Sequence, residues 1–240
     1  MARVFISFAG IAGGKEPKPY QEVSYHWQGR GEHTTRYVQA AVVTQLGATS
    51  FDRLVVLGTK TSRPFHEATL RAELEALGVS RERCYFETIS EDVADFGQQW
   101  AWFEALLAQV DVGDHLVLDM TLGHRTVPIV FSSAIGYLQR LKRVVVEHVV
   151  NGALERGTSR GAIVDMRDFY VVQDWAEAVG RLVDTADARL LAQLAAAAPA
   201  GSTFARLGSP ARTPGGKAAS ARTRTGKAAS ARTRTCSSGC

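Results

Sequence analysis

The sequence predicts an α/β protein: a Rossmann-like, mostly parallel sheet with helices on both faces, followed by a disordered basic tail. Three observations carry this. Short, continuous apolar runs alternate with longer segments whose apolar residues recur every three or four positions, the pattern of buried strands connected by amphipathic helices. The runs end in Gly, Ser, Thr or Asp, as strands do where they open into loops. Near residue 198 the composition changes to Gly, Ala, Ser, Thr and Arg, which cannot build a core.

Taken in order, Val4 to Phe8 reads as a buried strand ending at Ala9-Gly10. Residues 10–34 are rich in Gly, Pro and polar groups. Tyr20 to Trp27 alternates weakly before Gln28-Gly29-Arg30-Gly31, which suggests a small hairpin or ordered insertion. Thr34 or Thr35 is placed to cap a helix from Arg36 to Leu46, closed by Gly47. Arg53 to Leu57 is a second core strand, followed by Gly58-Thr59-Lys60-Thr61-Ser62. A helix over Phe65 to Leu77 has apolar positions at 70, 74 and 77, and Cys84 to Phe86 is a short strand.

Asp95 to Val110 reads as an amphipathic helix with Phe96, Trp100, Phe103, Leu106 and Leu107 on one face and Trp102 nearby. After the turn Asp111 to Asp114, a strand over His115 to Leu118 ends at Asp119. A polar loop leads to a helix that has Pro128 in its first turn and runs through Leu141. Arg143 to Val150 is a β-branched strand, residues 151–160 a loop, and Ile163-Val164 an edge strand. Gln173 to Ala198 is mostly helix, with Trp175, Val179, Leu182 and Val183 on one side.

The chain is divided into a folded domain, 1–198, and a low-complexity tail, 199–240. Charge supports the division. The formal net charge of +4 hides a tail from 201 to 240 that carries six Arg, two Lys and no acid; the first 200 residues are net acidic, −4. The basic pI therefore does not argue for nucleic-acid binding by the folded part. The ten residues GKAASARTRT occur twice in succession, at 216–225 and 226–235. Nucleic-acid contact by this tail is the minor reading and an unstructured extension the major one. Cys84, Cys236 and Cys240 form no disulfide framework or thiolate cluster. The N-terminus enters a strand pattern without a signal-peptide profile, and no run is long enough to span a membrane. The protein is expected in the cytoplasm.

Ligands of parallel α/β sheets sit beyond the C-terminal ends of the strands. Three such ends have suitable chemistry: Ser7, Ala9, Gly10, Ala12, Gly13 and Gly14; Gly58, Thr59, Lys60, Thr61 and Ser62; and Asp119, Thr121, Gly123, His124 and Arg125. Small residues expose backbone N–H groups, hydroxyls donate, and Lys and Arg attract phosphate. Asp119 reads as a brace for its loop. Arg125 stands before a helix N-terminus, where a cation is unfavourable unless an anion joins it. The dinucleotide fingerprint, the P-loop, the zinc-protease and Cys-x-x-Cys motifs and the nucleophile elbow are all absent. No metal and no cofactor are expected.

The stretch from Asp119 to Pro128 resembles the motif Asp-x-Thr-x-Gly-x-Arg-x-x-Pro of the CRISPR-associated Rossmann fold (CARF) family, in the branch of type III CRISPR sensors. Val4 to Gly10, Tyr20 with its hairpin, Leu57-Gly58-Thr59, Gly152-Ala153, Ile163 to Asp165 and Asp174 to Ala178 are similar to further landmarks, so the resemblance covers roughly 3–195. It implies a homodimer that binds a cyclic oligoadenylate, tetra- or hexa-adenylate, across its two-fold axis as an antiviral second messenger. Ligand-binding positions would be Ser7, Ala9, Gly10, Gly58, Thr59, Lys60, Thr121, Gly123, His124 and Arg125.

Many members carry a C-terminal HEPN ribonuclease domain. Its Arg and His pair would need a second domain, and the tail contains no His, so RNA cleavage is not expected. The alternative activity is a metal-independent ring nuclease, in which a ribose 2′-hydroxyl attacks the adjacent phosphate. His124, Lys60 and Ser7 are its candidate catalytic groups. Two other readings, a nucleotide-binding protein unrelated to defence and a transcription factor, lack the support of the central motif and of a helix-turn-helix respectively.

Overall fold

A computed structural model describes residues 1–10, 19–90, 96–121 and 127–197. The tail and its expected disorder therefore lie outside the described residues. The chain divides into two units, Met1–Leu190 and Leu191–Cys240.

Eight strands form one sheet: β1 (Arg3–Ala9), β2 (Val23–Trp27), β3 (Gly31–Thr35), β4 (Arg53–Thr59), β5 (Cys84–Ile89), β6 (His115–Asp119), β7 (Val145–Leu154) and β8 (Arg160–Asp165). Their order is β3-β2-β8-β7-β6-β1-β4-β5. The core β7-β6-β1-β4-β5 is parallel throughout, while β7–β8 and β2–β3 pair antiparallel. The chain steps from β1 to β4 on one side and enters β6 on the other, so the strand order reverses between β1 and β6. That reversal is the point at which open α/β sheets hold ligands.

The helices are α1 (Val38–Leu46), α2 (Ser62–Ala76), α3 (Phe96–Ala108), α4 (Val127–Leu141), α5 (Arg167–Thr185) and α6 (Arg189–Ala197). Two cores lie on opposite faces of the sheet. One packs Phe5, Leu54 and Val56 against α1 and α2, with Leu70 and Leu74. The other packs Ile6, Phe8, Val55 and Leu118 against α3 and α4, with Trp102, Leu106, Phe131 and Leu138. The period-2 alternation of β1 and β4 sends neighbouring side chains to opposite cores, as a sheet covered on both faces requires.

Several boundaries differ from expectation. The hairpin exists, as β2 and β3, and β2 adds to the sheet parallel to β8 with Ser24 opposite Arg160 and Trp27 opposite Ile163. Ile163-Val164 is therefore interior; among the described strands the edges are β3 and β5. Val23, Tyr25 and Trp27 are buried in alternation and give β2 the apolar face that docks it. The expected loop 151–160 is mostly hairpin: Asn151 to Leu154 continue β7, and only 155–159 turn.

Thr35 does not cap α1. Its Oγ1 accepts the Tyr37 N–H at 2.9 Å, and the helix starts at Val38. In α3 the buried positions are Trp102 and Leu106, whereas Trp100 is 54% exposed. Trp102 is anchored by its indole N–H, which donates to the Ser90 carbonyl at 3.1 Å. The last helical region starts earlier than 173 and is broken at Ala186, which is left-handed with φ 56°. In α5 Trp175 and Ala178 face the core, while Val179, Leu182 and Val183 are exposed.

Candidate functional site

The site is built where β1 and β6 end side by side. Asp119, the last residue of β6, is 0% exposed. Its Oδ2 accepts the Ser7 hydroxyl at 2.6 Å. Its Oδ1 accepts the Thr121 N–H at 3.0 Å and the Thr121 hydroxyl at 2.5 Å. Thr121 Oγ1 in turn accepts the Gly152 N–H from β7 at 2.6 Å. One carboxylate thus joins β1, the exit of β6 and β7. Burial pushes the Asp119 pKa up, and the donors from Ser7 and Thr121 oppose that rise without reversing it.

Gly152 must be glycine for this geometry. A Cβ there would stand 2.9 Å from Val38 Cγ2 and 3.1 Å from Thr121 Cγ2. The close approach brings α1, β7 and the β6 exit together at the head of the segment that leads to α4.

At the end of β4, Thr59 and Ser62 close a small ring. The Thr59 N–H donates to Ser62 Oγ at 2.8 Å, and the Ser62 N–H donates to Thr59 Oγ1 at 3.1 Å. This extends α2 back to Ser62 rather than Phe65. Gly58 lies under the first turn of α2: a Cβ would meet Arg63 Cβ at 3.1 Å and Arg63 backbone at 3.3 Å. Lys60 is exposed between these anchored residues.

Beside the β1 exit, on the α1/α2 face, is a polar and aromatic group. Gln39 donates through Nε2 to the Phe8 carbonyl at 2.8 Å. Tyr20 donates its hydroxyl to the Gly10 carbonyl at 2.5 Å and stacks on His66, centroids 4.4 Å apart and planes 11° from parallel. Tyr37 and Phe65 meet the same imidazole edge-on at 5.8 and 4.8 Å. Burial pushes the Tyr20 phenol up and the His66 imidazole down, so both are neutral near pH 7; the Gly10 carbonyl only partly offsets each shift.

Of the expected site residues, Ser7, Ala9, Gly10 and Thr121 gather around the β1 and β6 exits, and Gly58, Thr59 and Lys60 stand at the end of the adjacent β4. Ser7 is buried with its hydroxyl engaged by Asp119. Gly123, His124 and Arg125 lie outside the described residues. Asp119 braces its loop, as the sequence suggested.

Sequence reasoning passed over Gln39 and His66. A signal existed for both: Gln39 interrupts an otherwise apolar run from Val38 to Val43, and His66 shares the 66, 70, 74 face with buried Leu70 and Leu74. Among the described residues no three His, Cys, Asp or Glu side chains converge as a metal site, and no helix is long and apolar enough to cross a membrane. Comparison with known proteins finds no family model that matches the chain and no curated protein similar to it.

Proposed function

We propose that the chain is a CARF-type sensor that binds a cyclic oligoadenylate, tetra- or hexa-adenylate, as a homodimer in type III CRISPR antiviral defence. The observation that carries this reading is the Ser7–Asp119–Thr121–Gly152 network. It pins the first residues of the Asp-x-Thr-x-Gly-x-Arg-x-x-Pro stretch at the reversal of strand order, directly ahead of α4. Phosphates at that position would be favoured by the positive end of α4, and Arg125, two positions before α4 in the sequence, is the residue type that pairs with them. Thr59 and Lys60 at the neighbouring strand end supply a hydroxyl and a cation for the next phosphate of a ring.

Ring cleavage is the second reading. Ser7 supports binding over cleavage, because its hydroxyl is buried and committed to Asp119. On this account Ser7 is a positioning residue, and cleavage would rest on His124 and Lys60.

The test is titration of the purified protein with cyclic tetra-adenylate and cyclic hexa-adenylate, with chelator present. Products are followed by chromatography and mass by sedimentation. Saturable binding to a dimer with intact ligand recovered is the expected result. Linear products would move the assignment to the ring nuclease. Failure of both rings to bind at tens of micromolar would refute the reading.

A further inference from the structure

His148, in β7, is held between two partners of opposite hydrogen-bonding character. Its Nδ1 lies 2.5 Å from Asp165 Oδ2 at the end of β8, and its Nε2 lies 3.2 Å from Arg30 Nη2 in the turn between β2 and β3. Asp165 Oδ1 also accepts the Arg167 N–H at 3.0 Å and the Val149 N–H at 3.3 Å. Burial opposes ionisation of Asp165, but these donors outweigh it and hold the carboxyl below its usual range. Asp165 is therefore ionised and only accepts, while the Arg30 guanidinium only donates.

The two neighbours leave the imidazole one state. Nδ1 must carry the proton that it donates to Asp165, and Nε2 must be bare to accept from Arg30. The neutral Nδ1–H tautomer satisfies both. A second proton, on Nε2, would set donor against donor and cation against cation across 3.2 Å. The same proton strengthens the pair with Asp165, so the imidazolium stays with Asp165 and Arg30 is expelled.

Arg30 sits where its release matters. It lies between Gly29 and Gly31, both at positive φ, and its N–H donates to the Trp27 carbonyl at 2.9 Å to close the turn. Its guanidinium covers the Trp27 ring at 4.9 Å, and that ring meets the His148 imidazole edge-on at 5.2 Å. One side chain thus joins the hairpin turn to β7. Neighbouring charges are engaged elsewhere. Glu147 of β7 takes Arg3 at 2.7 Å and His115 of β6 at 2.8 Å. Arg167 directs its guanidinium to the Glu147 carbonyl at 3.5 Å, and Asp168 is exposed in the first turn of α5. His26 and Glu32 belong to the other face of the hairpin, where Glu32 accepts the Ser24 hydroxyl.

We propose that His148 is an acid-operated latch on the β2–β3 hairpin. Neutral, it holds Arg30 and fastens the turn to β7; protonated, it releases Arg30 while remaining bound to Asp165. The latch stands independently of the sensor reading, since none of its groups belongs to the Ser7–Asp119–Thr121–Gly152 network. Imidazole changes charge between about pH 5 and 8, and the latch works in that interval. Its effect is local, because the gain at Asp165 offsets the loss of Arg30 in overall stability.

The experiment uses the full chain, labelled for nitrogen NMR, with hydrogen exchange read at the Arg30 amide. The His148 ring signals are those lost in His148→Gln. At about pH 8 they are expected to show a protonated Nδ1 and a bare Nε2. From there to about pH 5 the Arg30 amide is expected to lose about fivefold in protection, after correction for intrinsic exchange, the scale of one hydrogen bond. The loss should follow the His148 titration, while the amides of Val4 to Phe8 keep their protection. His148→Gln is expected to abolish the step. Arg30→Met, at an exposed position, is expected to show the low protection of acidic wild type at every pH, and it serves if His148→Gln does not fold.

A His148 ring that carries its proton on Nε2 at the alkaline end overturns the proposal. So does protection at Arg30 that is constant across the range, or a step that persists in folded His148→Gln or in Arg30→Met.

Discussion

Ser7→Ala tests whether the buried carboxylate organises the site. Ser7 and Asp119 are both 0% exposed, and the hydroxyl donates to Oδ2 at 2.6 Å. A hydrogen bond to a charged group contributes about 1.5–3 kcal/mol, and its loss leaves Asp119 with donors from Thr121 alone. The expected destabilisation is about 2 kcal/mol, or roughly 4–8 °C in Tm for a domain of this size. The pH dependence adds a second constraint. Burial raises the folded-state pKa of Asp119 above its unfolded value, so the contribution of this group is fully present below the unfolded value of about 3.9. It declines as pH rises through the raised folded pKa. Ser7 stabilises the charged form, so its removal lifts the folded pKa further. The deficit of Ser7→Ala should then be smallest at low pH and grow as pH rises through the folded pKa. Urea unfolding of wild type and variant at several pH values measures it. A deficit under about 0.5 kcal/mol, or one of equal size at every pH, would refute the reasoning.

Three further outcomes are expected. Gly152→Ala drives a methyl to within 2.9 Å of Val38 Cγ2 and 3.1 Å of Thr121 Cγ2, and should cost about 1–3 kcal/mol, read by denaturant unfolding, because two short branched side chains, one of them held by Asp119, must give way. Lys142→Met removes an ammonium that donates to the carbonyls of Leu107 at 2.6 Å and Val110 at 2.5 Å near the C-terminal end of α3; a loss of about 1–2 kcal/mol in the same assay is expected. Arg125→Ala, just ahead of α4, should weaken cyclic oligoadenylate binding by about thirtyfold, equivalent to ~2 kcal/mol. It should change unfolding free energy by less than about 1 kcal/mol, so a clear loss of stability without loss of affinity would count against it.

The parallel core was legible because each strand buried on both faces is largely apolar: three such runs, from Val4, Leu54 and Leu116, stand out against the helices between them, and β7 is marked instead by its β-branched valines around Glu147 and His148. The far side of the sheet was not. Whether Ile163 lies at an edge depends on a strand more than 130 residues earlier, and nothing local to Arg160–Asp165 reports that partner. The partner's own sequence carried a better clue. Buried Val23, Tyr25 and Trp27 alternate with half-buried Ser24 and His26, which requires a surface to bury against, and a free-standing hairpin has none. Periodicity also misassigned α3. Trp100 and Trp102 are two residues apart on a helix and cannot share a face, and a choice by the three-and-four rule favoured the wrong one.

The site separates along the same line between local and distant information. Asp119 could be read as a brace because its partner Thr121 is two residues away, and an Asp at a strand end reaches that N–H by local geometry alone. Its bond to Ser7 spans 112 residues and follows only from β1 and β6 being neighbours. Gln39 and His66 lie further from legibility still. Each occupies a helix position that its neighbours mark as core, so pattern alone assigns an apolar role to both. Only the folded arrangement shows that Gln39 Oε1 and His66 Nε2 are buried without a hydrogen-bond partner. A polar residue at a core position of a helix is thus ambiguous until its hydrogen bonds are counted.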